Sequence, residues 1–306
     1  MTIKVFGHKS PDTDSTGSPV IWAWYLNEVR GVPAEPCLLG EPNTEAQFVL
    51  RHWNLDRPAY LDDVTADDEV VIVDTNNVAE LPASINEANV IEIIDHHMLQ
   101  GGLKTKNPIN VTVRPVACTA TIMHDLMGTD AAKMPDEIKG AMLSCILSDT
   151  LAFRSPTTTD VDRKLAESLA DDLGVRIQEF AAQMFSAKSD VSSYSNSELL
   201  RMDSKEYDVD GTKFRVSVIE TTSPATVLAR KNGLIEDMIE VAEEDGVDQV
   251  LFFLVDILNE EALLFIPNEV VKSVAEKSFG ITVKGDVAAL PGVVSRKKQI
   301  LPALKV

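Results

Sequence analysis

Residues 69–97 read EVVIVDTNNVAELPASINEANVIEIIDHH. The Val/Ile clusters at 69–74 and 90–95 are too short for helices and read as compact buried strands, each closing on an aspartate. Between them, residues 81–87 carry helical spacing. The same alternation runs upstream, with a strand at 2–7, a helix at 15–30 carrying Val20, Ile21, Trp24 and Leu26, and a helix at 44–53. Strands alternating with helices predict an α/β domain with a parallel sheet and helices on both faces. Beyond Val113 the pattern becomes helical at 119–127, 135–148, 160–173 and 176–187, with Pro135 suited to a first helical turn and Asp160 to a cap.

The texture then changes. Residues 186–197 (SAKSDVSSYSNS) are small and polar, without apolar periodicity, and read as a linker. After them, strands at 205–209 and 212–220 flank Asp210-Gly211, a hairpin signal. A helical stretch at 224–244, strands at 249–257 and 262–266, and a helix at 268–279 follow. The expected organisation is a domain over 1–187, a linker over 188–196 and a smaller α+β domain over 197–306.

Composition narrows the function. The chain has 306 residues, 44% of them hydrophobic, which suffices for real cores and excludes a disordered chain. With 28 Lys+Arg against 48 Asp+Glu, the net charge of −20 argues against nucleic acid as a partner. No apolar run is long enough to span a bilayer, and no signal-peptide pattern precedes the first strand, so no membrane partner and a cytoplasmic setting are expected. The odd cysteine count (Cys37, Cys118, Cys145), without CxxC spacing, points to reduced thiols. Against the acidic body, residues 267–306 carry seven Lys/Arg and three Asp/Glu, with Arg296-Lys297-Lys298 at the centre. This stretch is either a solvated tail or an anion-binding patch.

Three strand ends carry metal-ligand residue types: His8, Asp12 and Asp14 after the first, Asp74 after the second, and Asp95-His96-His97 after the third. In open α/β sheets ligands bind outside the carboxyl ends of the strands, so these groups should converge. Imidazoles with several carboxylates suit Mn²⁺ or a similar first-row ion. Pro11 keeps the 8–14 segment out of helix, and in extended backbone Asp12 and Asp14 lean to one side. His96 and His97, being adjacent, are expected to project oppositely, one to metal and one to substrate, with Asp95 orienting an imidazole. Asp149 closes an apolar helix, where a buried carboxylate needs a partner. His52 and His124 read as structural.

The set His8-x₃-Asp12-x-Asp14, Asp74, Asp95-His96-His97 and Asp149 resembles the DHH phosphoesterase superfamily. Residues 147–151 with 155–157, Asp203-Ser204-Lys205-Glu206-Tyr207 and Ser295-Arg296-Lys297-Lys298-Gln299 make the chain similar to manganese-dependent (family II) inorganic pyrophosphatases within it. The resemblance implies two Mn²⁺ per site, with Co²⁺ as a substitute and Mg²⁺ accompanying the substrate. One ion would be held by His8, Asp12 and Asp74, the other by Asp14, Asp74, His96 and Asp149. It implies pyrophosphate as substrate, attack by a metal-bridged hydroxide, and phosphate contacts from His97, Lys205, Arg296 and Lys297. It also implies closure of the C-terminal domain and a homodimer through the N-terminal domain. One departure stands out: where the family usually has His-Asn-Glu after the bridging aspartate, this chain has Thr75-Asn76-Asn77. Rival readings are a superfamily phosphoesterase acting on short oligonucleotides or cyclic dinucleotides, a polyphosphate-trimming enzyme, and a non-catalytic phosphate or metal sensor.

Overall fold

The computed structural model describes residues 2–306, which form two compact units, 2–187 and 188–306. In the first, β1 (Ile3–Phe6), β2 (Ala34–Leu38), β3 (Ala59–Tyr60), β4 (Glu69–Val73), β5 (Asn89–Asp95) and β6 (Asn110–Val113) form one sheet in the order β3-β2-β1-β4-β5-β6, with every pairing parallel. The order reverses between β1 and β4, and their carboxyl ends open the crevice where α/β proteins place ligands. The register sharpens this. Phe6 lies beside Ile72, and Ile72 beside Ile93, so the chains leaving β1, β4 and β5 emerge level with one another.

The helices of this unit are α1 (Thr13–Trp24), α2 (Thr44–His52), α3 (Thr119–Met127), α4 (Asp136–Asp149), α5 (Asp160–Leu173) and α6 (Ile177–Lys188). α1 packs against β1, β2 and β4, α3 against β5, and α4 lies against α1. Gly7 permits the tight junction between β1 and α1, since a Cβ there would sit 2.0 Å from the Ser15 hydroxyl oxygen. An apolar cluster joins Phe6, Val70, Ile72 and Val90 to Val64, Leu81 and Ile85.

Several local expectations change. Residues 81–87 are not a helix. Leu81 and Ile85 are both fully buried, which produces the helical spacing, but the backbone turns through successive three-residue bonds such as Ile85 N–H to Pro82 C=O and Glu87 N–H to Ser84 C=O. The strands β2, β3 and β6 carry weak local signals: Pro36 sits inside β2, β3 is two residues long, and β6 is partly exposed. Pro135 takes the N-cap position of α4 in extended backbone rather than the first turn. Thr159, not Asp160, caps α5, through a reciprocal bond with Asp162.

The second unit contains a mixed sheet in the order β11-β10-β9-β8-β7, from β7 (Ser204–Val209), β8 (Thr212–Thr221), β9 (Gln249–Asp256), β10 (Glu261–Phe265) and β11 (Val287–Pro291). Only β8 and β9 run parallel. Its helices are α7 (Asn196–Arg201), α8 (Ala225–Leu228), α9 (Lys231–Asp245), α10 (Glu269–Phe279) and the short α11 (Leu301–Ala303). The single helix expected at 224–244 is therefore two, broken at Ala229–Arg230. β9 is buried on both faces: Leu251, Phe253 and Val255 meet α10, whereas Val250, Phe252 and Leu254 meet α7 and α9, the two-residue period of a central strand. The polar segment before α7 is tied into this unit, since Thr226 donates to the Ser189 carbonyl and Arg230 to those of Val191 and Tyr194.

Candidate metal centre

The β1–α1 junction supplies the first group of candidate ligands. Asp12 is the N-cap of α1, where one carboxylate oxygen accepts from the Ser15 amide and the other lies 3.8 Å from His8 Nε2. Asp14 sits inside the first helical turn, so the extended backbone expected for the pair holds at the N-cap Asp12 and not at Asp14. Asp14 is buried; it accepts from the Ser18 hydroxyl at 2.6 Å and from the Thr119 amide at 2.7 Å. That amide belongs to the first turn of α3, whose exposed N–H groups favour an anion.

Asp74 lies at the centre. Its backbone is left-handed (φ 59°), a conformation aspartate tolerates better than most residues, and its side chain is buried. One oxygen lies 3.5 Å from His8 Nε2 and the other 3.3 Å from His96 Nε2. Thr119 Oγ1 donates to Asp74 Oδ1 at 3.2 Å. The ligand atoms fall into three groups, His8/Asp12/Asp74, Asp14/His96/Asp149 and Asp74/His96/His97, each contained within 4.8 Å. An ion about 2.1 Å from each donor fits such spacings.

His96 and His97 do not project oppositely. β5 ends at Asp95, whose carboxylate accepts both following amides, His96 N–H at 2.7 Å and His97 N–H at 3.0 Å. This turn cancels strand alternation and leaves the two imidazole rings 4.2 Å apart. His96 Nδ1 faces the Val116 carbonyl, which directs Nε2 toward Asp74. Asp95 orients His97 instead, meeting its Nδ1 at 2.9 Å. That hydrogen bond raises the His97 pKa above its ordinary value. Burial alone would raise the Asp95 carboxyl, but the bonds from His97 and Asn76 prevail and hold it low.

The departure at residues 75–77 now has a physical account. The Asn76 amide donates to Asp95 and to the Met98 carbonyl, and its oxygen accepts from the Gln100 amide, fastening the loop that follows β5. Thr75 donates to Glu80, and Asn77 caps the short turn Val78–Glu80. The hydrogen bonds of Asn76 and Thr119 escaped the sequence reading because their partners lie 19 to 105 residues away.

The donor set fits a cation on its own chemistry. Burial, then mutual repulsion with Asp14 and Asp12, pushes the Asp74 and Asp149 carboxyls well above the ordinary range. Asp149 Oδ2 is buried without a hydrogen-bond partner among the described residues, at a helix C-terminus where a negative charge is least welcome. The ion-pair neighbours of Asp74 are histidines alone among the described residues.

In the second unit, Lys205 is exposed on β7. Arg296 reaches Asp203, bonding its carbonyl and, at 2.7 Å, its carboxylate. Arg296 is thereby held two residues from Lys205, with Lys297 exposed in the same turn.

Residues 2–148 match the DHH family, N-terminal domain, and residues 182–306 match the DHHA2 domain. A Deinococcus radiodurans protein named as a probable manganese-dependent inorganic pyrophosphatase is 39% identical over 308 residues, covering 99% of this chain and 98% of its own. A Bacillus licheniformis protein of the same name is 35% identical over 303 residues, with 99% and 97% covered. Among solved structures, a Methanococcus jannaschii protein named as a putative family II inorganic pyrophosphatase aligns with TM-score 0.62 at 33% identity, covering 99% of this chain and 98% of its own. An exopolyphosphatase-related protein from Bacteroides fragilis, with TM-score 0.51 and 12% identity, shares the fold. Strand-end candidate ligands gathered on one buried aspartate and likeness along the full length lead to the same place: the chain belongs to the manganese-dependent (family II) inorganic pyrophosphatases of the DHH superfamily.

Proposed function

We propose that this enzyme hydrolyses inorganic pyrophosphate to two orthophosphates at a dinuclear manganese centre. The observation that carries the reading is Asp74, whose two oxygens face different histidines and which joins one ligand group to the next. In this reading His8, Asp12 and Asp74 hold one ion, and Asp14, Asp74, His96 and Asp149 hold the other. When bound, such a pair supplies Lewis acidity to the phosphoryl group and acidifies a water to hydroxide near neutral pH. Co²⁺ suits the same donors, and Mg²⁺ enters with the substrate.

The protein's own part is positional. Asp95 fixes the His97 ring and favours its protonated form, which makes His97 a donor to a phosphate oxygen. Lys205, Arg296 and Lys297 neutralise the remaining phosphate charge, with Arg296 pre-oriented by Asp203. A chain of net charge −20 needs such local cations to admit a polyanion. Since the metal ligands lie in the first unit and these cations in the second, the second unit closes over the first when substrate is present. Buried thiols at Cys37, Cys118 and Cys145 support a reducing, cytoplasmic setting. A homodimer through the first unit completes the reading and would appear as twice the chain mass in light scattering. No helix among the described residues is long and apolar enough to cross a membrane.

The direct test is phosphate release with added Mn²⁺ from pyrophosphate, triphosphate and a dinucleotide. Release from pyrophosphate is expected, and release from triphosphate alone would assign the site to polyphosphate instead. Lys205→Ala and Arg296→Ala should each reduce kcat/KM by about 10²-fold, the scale of losing a charged contact to a reacting phosphate, while Mn²⁺ affinity survives. Equal loss of metal would contradict the division of labour between the units. A cross-link that holds the units apart should stop turnover but leave Mn²⁺ binding intact; unchanged turnover would remove closure from the scheme.

A further inference from the structure

Glu45 stands outside every ligand group, yet it is fully buried, with 0% exposure. It occupies the first turn of α2, just after the N-cap Asn43, where the helix dipole favours a carboxylate. A single oxygen, Oε2, accepts from the Thr13 hydroxyl at 2.8 Å and from the Ser148 hydroxyl at 2.6 Å. Thr13 lies between Asp12 and Asp14, and Ser148 immediately precedes Asp149. One carboxylate oxygen therefore ties the helix start bearing two candidate ligands to the helix end bearing a third. The loop before Glu45 reinforces the brace. The Asn43 amide donates to the Pro11 carbonyl at 2.9 Å, and Gly40 lies so close to the 8–14 segment that a Cβ would meet the Lys9 carbonyl oxygen at 2.2 Å.

We propose that Glu45 is a positioning residue for the metal centre, setting the separation between Asp12/Asp14 and Asp149 through the two hydroxyls. The inference rests on the metal-centre reading above. Without the brace, α1 and α4 still pack, but three acidic side chains that repel one another lose the shared anchor that keeps them at ligand spacing. Partners that orient ligands from behind typically contribute about 10–100-fold in metal affinity.

The test is Mn²⁺ titration of the full chain, following free Mn²⁺ by electron paramagnetic resonance. Glu45→Ala should weaken Mn²⁺ binding by about ten-fold or more, with KM for pyrophosphate unchanged at saturating Mn²⁺. Glu45→Gln keeps an oxygen able to accept both hydroxyls and should stay within about three-fold of the parent. Thr13→Val, which keeps the shape and removes one donor, should weaken binding alone and add nothing on top of Glu45→Ala. A folded Glu45→Ala protein with parental Mn²⁺ affinity would overturn the inference, as would equal losses in the Gln and Ala variants. If Glu45→Ala does not fold, Thr13→Val and Ser148→Ala carry the test, and parental affinity in both would overturn it. A parent chain that binds no Mn²⁺ would instead overturn the underlying reading, a result visible before any variant is made.

Discussion

Asp74→Asn is expected to reduce pyrophosphate turnover by about 10³-fold or more, the equivalent of roughly 4 kcal/mol of transition-state stabilisation. The substitution keeps the shape but replaces one of two anionic oxygens with an N–H₂ group, and both oxygens are in use. One faces His8 Nε2 at 3.5 Å and the other His96 Nε2 at 3.3 Å, so either amide orientation sets a donor against a ligand position. The variant should also separate activity from stability. In the metal-free protein Asp74 is crowded by Asp14, Asp12 and Asp149, and neutralising it relieves that repulsion. Metal-free Asp74→Asn should therefore melt no lower than the metal-free parent, while Mn²⁺ raises its Tm far less. This pairing of lost function with kept or gained stability is the pattern of a site built at the fold's expense. Turnover within ten-fold of the parent would remove Asp74 from the centre of the scheme.

Stripping the metal should make stability fall as pH rises, the reverse of ordinary acid denaturation. The Asp74 and Asp149 carboxyls are raised in the folded state, chiefly by burial and then by neighbouring carboxylates, well above the ordinary carboxylate range. The folded protein then holds more protons than the unfolded chain, and its stability declines from about pH 4 up through the folded pKa values. His97, raised by its bond to Asp95, adds a contribution of the same sign, full below its unfolded pKa and lost above the folded one. His124 opposes them, since burial lowers its pKa and its contribution improves as pH rises toward 6.5. The lowered carboxyls, such as Asp63, Asp68 and Asp245, are ionised in both states above about pH 5 and leave the slope unchanged there. Chelated protein should thus melt lower at pH 8 than at pH 5.5. Saturating Mn²⁺ should raise Tm at both values and more at pH 8, because ligand binding requires deprotonated carboxylates. A chelated protein that melts higher at pH 8 than at pH 5.5 would mean that Asp74 and Asp149 are not packed together as described.

Much of this architecture is legible locally. Val/Ile runs ending in Asp74 and Asp95, a proline before Asp12, and Asp149 after an apolar helix each announce themselves within a few residues, and parallel β/α alternation sends such strand ends to one edge. Expectations failed where local pattern and tertiary context diverge. The Leu81/Ile85 spacing reflects shared burial against the sheet and not a helix. His96 and His97 share a side because the Asp95 carboxylate captures both their amides, ending the strand one residue before alternation could separate them.

The supports of the site were silent in the chain for a simple reason. Glu45 bonds to Thr13 and Ser148, at separations of 32 and 103 residues; Thr119 bonds to Asp14 across 105. An acid or hydroxyl with such a partner has no local periodicity, spacing or composition to mark it. By itself, then, the order of residues determined which side chains could bind a cation and which strands would carry them, because both follow from chemistry and short-range steric preference. Only the folded chain decided how far apart those side chains stand and which buried groups hold them there, because distances between remote segments are set by packing and by hydrogen bonds that close after the elements have met.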